Sequence, residues 1–406
     1  MSMKRIEELR EGMLLGADVI SPGGRLLLKK GAEISEATVE MLARMGVHEV
    51  NARPAPREVP PEVQDEAADY ARVFFLHGDA ENPATVELYR IAAERTALAV
   101  MDGWDLPTET ERRAKNVEHL SDLLPPDVVT AEAIVRHETD LVSFPDIYFR
   151  IKDVLDDPTS SAERIARVVS TDMSLSAKLL QLVNSPFYGF SQKIDSISRA
   201  VSLVGVQELS TLALGISAVN YFRDIPPELI DMPTFWRHSI SCGIVARILA
   251  ETRPDLKPER FFIAGLLHDV GKLILFKKMP YAATEAMIFA RENAMPLVEA
   301  ERKVIGFNHT DVAVPLLDAW KFPESLSEII CAHHAPQLAE DKLGAAVVHL
   351  ADNITNALEI SLGGMYVLPG IEPGIWELLG QDAATFLPEA VFRFDDEVDE
   401  ILRIFA

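Results

Sequence analysis

Residues 261–275 read Phe-Phe-Ile-Ala-Gly-Leu-Leu-His-Asp-Val-Gly-Lys-Leu-Ile-Leu, and this stretch decides the fold. Its apolar residues cover every face of a helix, so it predicts a helix that is buried on all sides. His268 and Asp269 nevertheless stand in its middle, and Lys272 follows closely. An ionised carboxylate in apolar surroundings is costly unless it is paired or bound to a metal ion. Imidazole together with carboxylate suits Fe, Mn, Zn or Ni better than Ca, so the stretch predicts ligands for a divalent transition metal.

Further candidate ligands lie in other helices that the 3.6-residue periodicity predicts. They are His238, His309, the pair His333-His334 and Asp352. With His268 and Asp269, these residues are spread over five predicted helices. A helical bundle can bring side chains from several helices to one position in its core. We therefore expect all of them to meet at a single metal site.

The rest of the chain predicts a mainly α protein with a small β-rich module at its N-terminal end. Short apolar runs and turn residues indicate the β-rich module, and helical periodicity dominates from about residue 62 onward. The last 35 or so residues predict two short helices. The predicted parts are a β-rich module at 1–58, a Pro-rich linker and helical connector at 59–125, a helical domain at 126–370 with halves at 126–225 and 226–370, and a helical tail at 371–406.

Composition excludes several classes of function. The 406 residues include 63 acidic and 39 basic side chains, which gives a net charge of −24. Nucleic-acid binding needs clustered Lys and Arg, and anionic membrane surfaces repel such a charge, so neither partner is expected. Cys242 and Cys331 are too few for a disulfide framework. The chain starts with no signal-peptide pattern and contains no apolar run of membrane-spanning length, so we expect a cytoplasmic protein.

The segment His268-Asp269-Val270-Gly271-Lys272 and its partners resemble the HD superfamily of metal-dependent phosphohydrolases. Residues from about 130 to 370 are similar to its HDOD branch, the HD-related output domains of bacterial signalling proteins. The N-terminal module, with Gly12-Met13, Gly24–Leu28 and Gly31, resembles the module that precedes the catalytic domain in some HD-GYP phosphodiesterases. The segments that carry the HDOD resemblance are Phe144-Pro145, Asp172–Leu175, Leu182–Gly189, Ile197–Val201 and Val204-Gly205.

The resemblance implies a binuclear metal site in a multi-helix HD/HDOD-type bundle. One ion would be held by His238, His268, Asp269 and Asp352, and Asp269 would bridge to a second ion held by His309, His333 and His334. In an enzyme of the superfamily, a bridging hydroxide between the two ions would attack a phosphodiester, and Asp269 and Lys272 would be the catalytic residues. Lys272 would neutralise the phosphate charge.

Three departures from the three-metal HD-GYP pattern disfavour hydrolysis of cyclic di-GMP. Thr234 stands where those enzymes place a Glu ligand, no Gly-Tyr-Pro motif follows His334, and no Arg or aromatic cluster that could grip a guanine adjoins the site.

Two functions therefore stay open, and with them the question of whether the protein is an enzyme. The first is a bacterial signal-transduction module that acts through protein partners and keeps its metal site for structure or for sensing. The second is a metal-dependent phosphohydrolase that acts on a nucleotide or a cyclic dinucleotide. The β-rich module and the helical connector could also support a homodimer.

Overall fold

A computed structural model describes residues 3–21, 24–53, 57–114, 146–155, 157, 161–185, 187–190, 192–221, 230–362 and 365–405. The chain forms two compact units, Met1–Pro61 and Glu62–Ala406. Each unit buries its own hydrophobic cluster. Some segments of the sequence argument lie outside the described residues, namely 54–56, all of 115–145 including Phe144-Pro145, and Pro186.

The N-terminal unit is the small β-rich module that the sequence predicts. Antiparallel pairing sets the strand order β1-β5-β2, and β3 and β4 form a separate two-stranded sheet. The Ser35 hydroxyl caps the single α-helix by accepting the Thr38 backbone N–H. The elements are β1 (Met3–Arg5), β2 (Leu14–Leu15), β3 (Val19–Ile20), β4 (Leu26–Leu28), α1 (Glu36–Arg44) and β5 (Glu49–Arg53).

The second unit is built from helices, which confirms the mainly α prediction. Its described helices are α2 (Pro61–Arg72), α3 (Pro83–Met101), α4 (Glu109–Ala114), α5 (Asp146–Leu155), α6 (Ala162–Val169), α7 (Met173–Val183), α8 (Ile197–Val204), α9 (Val206–Tyr221), α10 (Met232–Ala250), α11 (Pro258–Leu267), α12 (Val270–Lys278), α13 (Pro280–Glu292), α14 (Leu297–Val304), α15 (His309–Ala319), α16 (Glu324–Cys331), α17 (Lys342–Leu358) and α18 (Ala383–Phe405).

Helix α10 lies at the centre of this unit and packs against α11, α17 and α18. From Ser239 to Ala250 every side chain of α10 is buried. The approach of α11 is close because Gly265 has no side chain: a Cβ there would lie 2.7 Å from the Cys242 carbonyl oxygen. Helix α3 of the predicted connector packs on α17 and α18, so it belongs to the same compact unit.

The structure differs from the sequence-based prediction at two helix ends. The predicted continuous helix around residues 260–275 is broken, because α11 ends at Leu267 and α12 begins at Val270. Asp269, with φ −98° and ψ 9°, precedes α12 as its N-cap residue. The prediction of two short helices in the last 35 residues is wrong, since the single helix α18 spans Ala383–Phe405 and only the short 3₁₀ turn Trp376–Leu379 precedes it. Apolar residues at helical spacing along α18 bury one continuous face.

No single helix among the described residues is long and apolar enough to cross a membrane. Helix α8 and residues Val206–Ser217 of α9 reach that length and apolarity only together, and they are bent by 119° where they meet. Gly205, with φ +108°, forms the bend. Few residues other than glycine adopt this backbone conformation.

Candidate metal centre

The structure brings all seven candidate ligands into one contiguous group. They come from five places in the chain, and most lie at helix ends. The ligands are His238 in α10, His268 and Asp269 between α11 and α12, His309 at the start of α15, His333 and His334 directly after α16, and Asp352 in α17. The convergence that the sequence predicts is thus present in the fold.

Four of these residues form half-site A, which we define as Asp269, His309, His333 and His334. Their potential ligand atoms all lie within 4.8 Å of one another. His309 Nε2 is 3.4 Å from Asp269 Oδ1 and 3.2 Å from His334 Nε2. This set agrees with the second ion position that the resemblance implies.

Half-site B comprises His238, His268, Asp269 and the adjoining Asp352. Asp352 Oδ1 is 3.2 Å from His238 Nε2 and 3.4 Å from His268 Nε2. His268 Nε2 is also 3.3 Å from Asp269 Oδ2. Asp269 therefore belongs to both half-sites, as a bridging carboxylate would.

The chemistry of the donor atoms fits a metal ion. His268 Nδ1 faces the Gly265 carbonyl at 2.7 Å, and His333 Nδ1 faces the Ile330 carbonyl at 2.6 Å. A carbonyl oxygen only accepts, so each Nδ1 must carry the proton. The Nε2 of each ring then faces the site, where neither Nε2 nor Asp269 Oδ1 has a hydrogen-bond partner. Burial opposes the charged form of His268, but the negative charge of Asp269 outweighs it and raises the pKa of His268 well above its usual value, so in the metal-free protein this ring carries a proton. A metal ion that displaced this proton would satisfy all three buried atoms.

Neighbouring residues hold these ligands in place. Glu301 Oε2 accepts the His309 Nδ1–H at 2.6 Å, and Glu359 lies 3.4 Å from His238 Nδ1. His349 donates from Nδ1 to the His333 carbonyl at 2.8 Å. We did not predict Glu301 or Glu359 from the sequence. The spacing of Glu359, seven residues after Asp352 on the same helical face, could have indicated it, whereas nothing in the sequence distinguishes Glu301 from other helix-surface acids.

Comparisons with known proteins agree with this geometry. Residues 141–336 match the model of the HDOD domain family. The chain contains an HDOD domain. This confirms the resemblance found in the sequence, although Asp352 lies beyond the matched residues.

Similar proteins extend the comparison. An uncharacterized protein of Treponema pallidum (strain Nichols) is 24% identical over 205 residues, which are 50% of this chain and 39% of that protein. The chain thus matches less than half the length of this relative. A crystal structure of an HDOD domain protein of unknown function from Geobacter sulfurreducens has 25% identity and a TM-score of 0.53, and the match covers 68% of this chain and 99% of that one. A phosphohydrolase-like protein from Shewanella amazonensis SB2B has the same fold, with 22% identity, a TM-score of 0.54, and 68% and 98% coverage.

Lys272 of the HDOD domain contacts a candidate ligand directly. Its ammonium donates to Asp269 Oδ2 at 2.6 Å. Burial opposes the charged form, but the negative charge of Asp269 outweighs it and raises the pKa of Lys272. The structure therefore places Lys272 against the carboxylate that the two half-sites share, and its positive charge offsets part of the negative charge of the site.

The pKa values of two histidines of the HDOD domain are shifted in opposite directions. Burial and the neighbouring His268 lower the pKa of His333 to about 3. This ring is therefore neutral, and a metal ion would not have to displace a second proton from it. Burial also disfavours the charged form of His238, but hydrogen bonds to Asp352 and Glu359 outweigh it and raise the pKa to about 9. Burial opposes ionisation of Asp269 too, yet His268 and Lys272 hold its pKa well below the usual range. In the metal-free protein, protons thus partly neutralise the charge that metal ions would neutralise.

A cleft of about 1340 Å³ lies beside His334 of the HDOD domain. Its walls come from α14, α15, α16 and the segments that follow them. Among the described residues that line the cleft, Arg302 is the single Arg or Lys, and its Nη2 is 3.6 Å from Asp311 Oδ2. The carboxylates that line it are Glu299, Asp311, Asp318, Glu324, Glu328, Glu340 and Glu372. The approach to half-site A is therefore strongly negative.

Proposed function

We propose that this protein is a bacterial, cytoplasmic signal-transduction protein whose HDOD domain binds two divalent transition-metal ions and acts on protein partners. The observation that carries the proposal is the negative cleft in front of half-site A. The complete ligand set supports metal binding, and the charge of the cleft speaks against a phosphate ester as its ligand. Action through a homodimer is part of the same proposal.

Phosphate esters are anionic, and sites that bind them supply Arg, Lys or backbone N–H groups. Seven carboxylates and a single Arg line the cleft, and Asp311 partly neutralises that Arg. Lys272, the other candidate for a phosphate contact, is bonded to Asp269. An anionic substrate would therefore meet repulsion along the described approach to half-site A.

The residues that would hold the ions are those of half-sites A and B. Bound divalent ions would supply concentrated positive charge and Lewis acidity to the core of the HDOD domain. The protein itself contributes imidazole nitrogens, a shared carboxylate and largely buried surroundings. Asp269 lies between α11 and α12, and the histidines of half-site A belong to α15 and to the end of α16. An ion held by these residues would cross-link four helices.

One observation favours the alternative function of a metal-dependent phosphohydrolase. His334 lines the cleft, so half-site A can be reached from outside. Access to a metal position is what catalysis on a nucleotide or cyclic dinucleotide would need. This access favours a hydrolase, whereas the negative charge of the cleft opposes binding of an anionic substrate. An activity assay distinguishes the two functions.

The test begins with wild-type protein purified without chelators or metal-affinity resin. Bound metals are measured by inductively coupled plasma mass spectrometry, and Asp269→Ala is compared with Asp318→Ala, an exposed carboxylate of the cleft wall. We expect about two equivalents in the wild type and in Asp318→Ala, and a loss in Asp269→Ala. A wild type that stays metal-free after loading with Mn, Fe, Zn or Ni would overturn the metal proposal.

The same preparations are assayed with bis-p-nitrophenyl phosphate, nucleotides and cyclic dinucleotides in the presence of the bound metal. We expect no turnover above the metal-only background. Turnover that disappears in Asp269→Ala but persists in Asp318→Ala would show that the hydrolase alternative is correct.

A further inference from the structure

We infer that Glu301 is a positioning residue that makes half-site A the tighter of the two metal-binding half-sites. The inference rests on the proposed metal binding and adds an order of binding to it. The residues involved are Glu301, His309 and the groups that accept from the Nδ1 atoms of the other candidate histidines.

Glu301 is a buried acid, 3% exposed, on the inner face of α14. Its Oε2 accepts the His309 backbone N–H at 2.9 Å and the His309 Nδ1–H at 2.6 Å. Both bonds of this carboxylate oxygen thus go to His309. An ionised carboxylate cannot donate, so His309 must carry its proton on Nδ1. The Nε2 lone pair is thereby directed at Asp269 and His334.

The backbone around His309 is held equally firmly. Asn308 caps α15, and its side chain accepts the Asp311 backbone N–H at 3.0 Å. Gly271 of α12 touches the His309 carbonyl so closely that a Cβ at residue 271 would lie 1.9 Å from it. The backbone of His309 therefore cannot shift towards α12 without moving that helix.

Three of the other candidate histidines that the structure describes have a neutral or a shared partner at Nδ1. His268 and His333 donate from Nδ1 to the neutral backbone carbonyls of Gly265 and Ile330. His238 does face a carboxylate, but at 3.4 Å, and Glu359 also accepts the Ser241 hydroxyl and lies 3.5 Å from Arg237.

A carboxylate behind a ligating imidazole raises the basicity of the imidazole and fixes its orientation. Among the candidate ligands that the structure describes, His309 has the shortest such contact, at 2.6 Å. Half-site A therefore contains the imidazole whose orientation is held most firmly by a carboxylate, and its ion should bind first. Loss of an outer partner of this kind typically costs about 10- to 100-fold in metal affinity.

The test uses Co²⁺ as the probe and the full-length, metal-free chain. Binding is followed by isothermal titration calorimetry and by the visible absorption of the bound ion. Glu301→Gln keeps the shape and an accepting oxygen but removes the charge, and Glu359→Gln is the matched control at half-site B. We expect two resolved equivalents in the wild type. Glu301→Gln should weaken the first of them by about 10- to 100-fold, and Glu359→Gln should leave that first equivalent unchanged.

Two variants that keep Glu301 provide a second measurement, in case Glu301→Gln fails to fold. His334→Ala should abolish the tight equivalent, and His238→Ala should abolish the weak one. Equal affinities in the wild type, an unchanged first equivalent in Glu301→Gln, or loss of the tight equivalent in His238→Ala would overturn the inference. A wild type that binds no Co²⁺ would overturn the proposed metal binding as well, so the two failures are distinguishable.

Discussion

The two carboxylate oxygens of Asp269 have different surroundings. Oδ2 accepts the Lys272 ammonium, whereas Oδ1 is buried without a hydrogen-bond partner and faces His309 and His333. Replacing one member of a buried charged pair is costly because it leaves the other charge uncompensated. At the scale of single residues, the site is thus a balance of charges in which protons, Lys272 and metal ions are alternative sources of positive charge.

This balance predicts an unusual pH dependence for the metal-free protein. The pKa of His238, raised to about 9, exceeds its usual value of 6.5. Its pairing with Asp352 therefore contributes stability fully below pH 6.5, and this contribution is lost as the pH rises to about 9. By linkage the loss is on the order of 3 kcal/mol. Urea unfolding in EDTA at pH 6, 7.5 and 9 measures it.

The control for this prediction is His238→Gln, which keeps a polar side chain but cannot titrate. Its free energy of unfolding should change less between pH 6.5 and 9 than that of the wild type. Metal-loaded wild type should show the opposite trend, because protons compete with the metal for His238. Identical slopes for the metal-free variant and wild type would contradict the prediction.

At the scale of the elements, glycines set how closely the helices that carry ligands approach. Gly265 lets α11 lie on α10, and Gly271 lets α12 lie on the first turn of α15. In the second contact a Cβ at residue 271 would meet backbone, the His309 carbonyl oxygen at 1.9 Å and the Ala313 nitrogen at 3.2 Å. Backbone cannot rotate away as a side chain can, so this packing depends on glycine.

We predict that Gly271→Ala pushes α15 away and displaces His309. The clash should lower the free energy of unfolding by about 1–3 kcal/mol or more. The higher helix propensity of Ala, about 1 kcal/mol over Gly, offsets only part of this loss. Co²⁺ binding at half-site A should weaken in the same variant. Urea unfolding of the metal-free protein and Co²⁺ titration measure the two effects.

Gly215→Ala is the matched control, since its Cβ would meet the movable methyl end of Ile263 at 2.4 Å. Its cost should be smaller, and both metal equivalents should remain. If Gly271→Ala were as stable as the wild type and bound Co²⁺ equally well, the proposed role of this helix contact would be wrong.

At the scale of the whole molecule, the two units have separate cores. The N-terminal unit buries a cluster of its own that shares no residue with the larger cluster. Its buried residues are Leu9, Leu15, Val19, Ile34, Leu42, Val47, Val50 and Ala52. Such a small core gives marginal stability, whereas the larger unit buries enough apolar surface to fold by itself.

We therefore predict that the chain without residues 1–61 folds and keeps its metal equivalents. Far-UV circular dichroism should show helix in the truncated protein, and mass spectrometry should find the same metal content as in the full chain. The full chain should also show an additional thermal transition at lower temperature, from the N-terminal unit. A truncated protein that is unfolded or has lost its metal would show that the larger unit depends on the N-terminal one.

Local pattern was sufficient to predict much of this protein. The mainly α class and the β-rich module follow from hydrophobic periodicity, which depends only on neighbouring residues. The candidate ligands could be identified because His and Asp are unusual in apolar helices such as that around His268. The HDOD resemblance followed from short segments and was confirmed.

Only the tertiary structure decided the features that depend on residues far apart in the chain. In the sequence, Glu301 does not differ from the other acidic residues of predicted helices. Its burial against His309 appears only in the folded chain, where α14 and α15 are in place. The close contact of α12 with α15 joins segments that are distant in the chain, and the carboxylates of the negative cleft come from several helices and loops. The sequence by itself thus determined the fold class and the candidate ligand residues, because periodicity and residue chemistry are local. The structure decided which oxygen supports which imidazole and which charges face the cleft, because both depend on distances between helices.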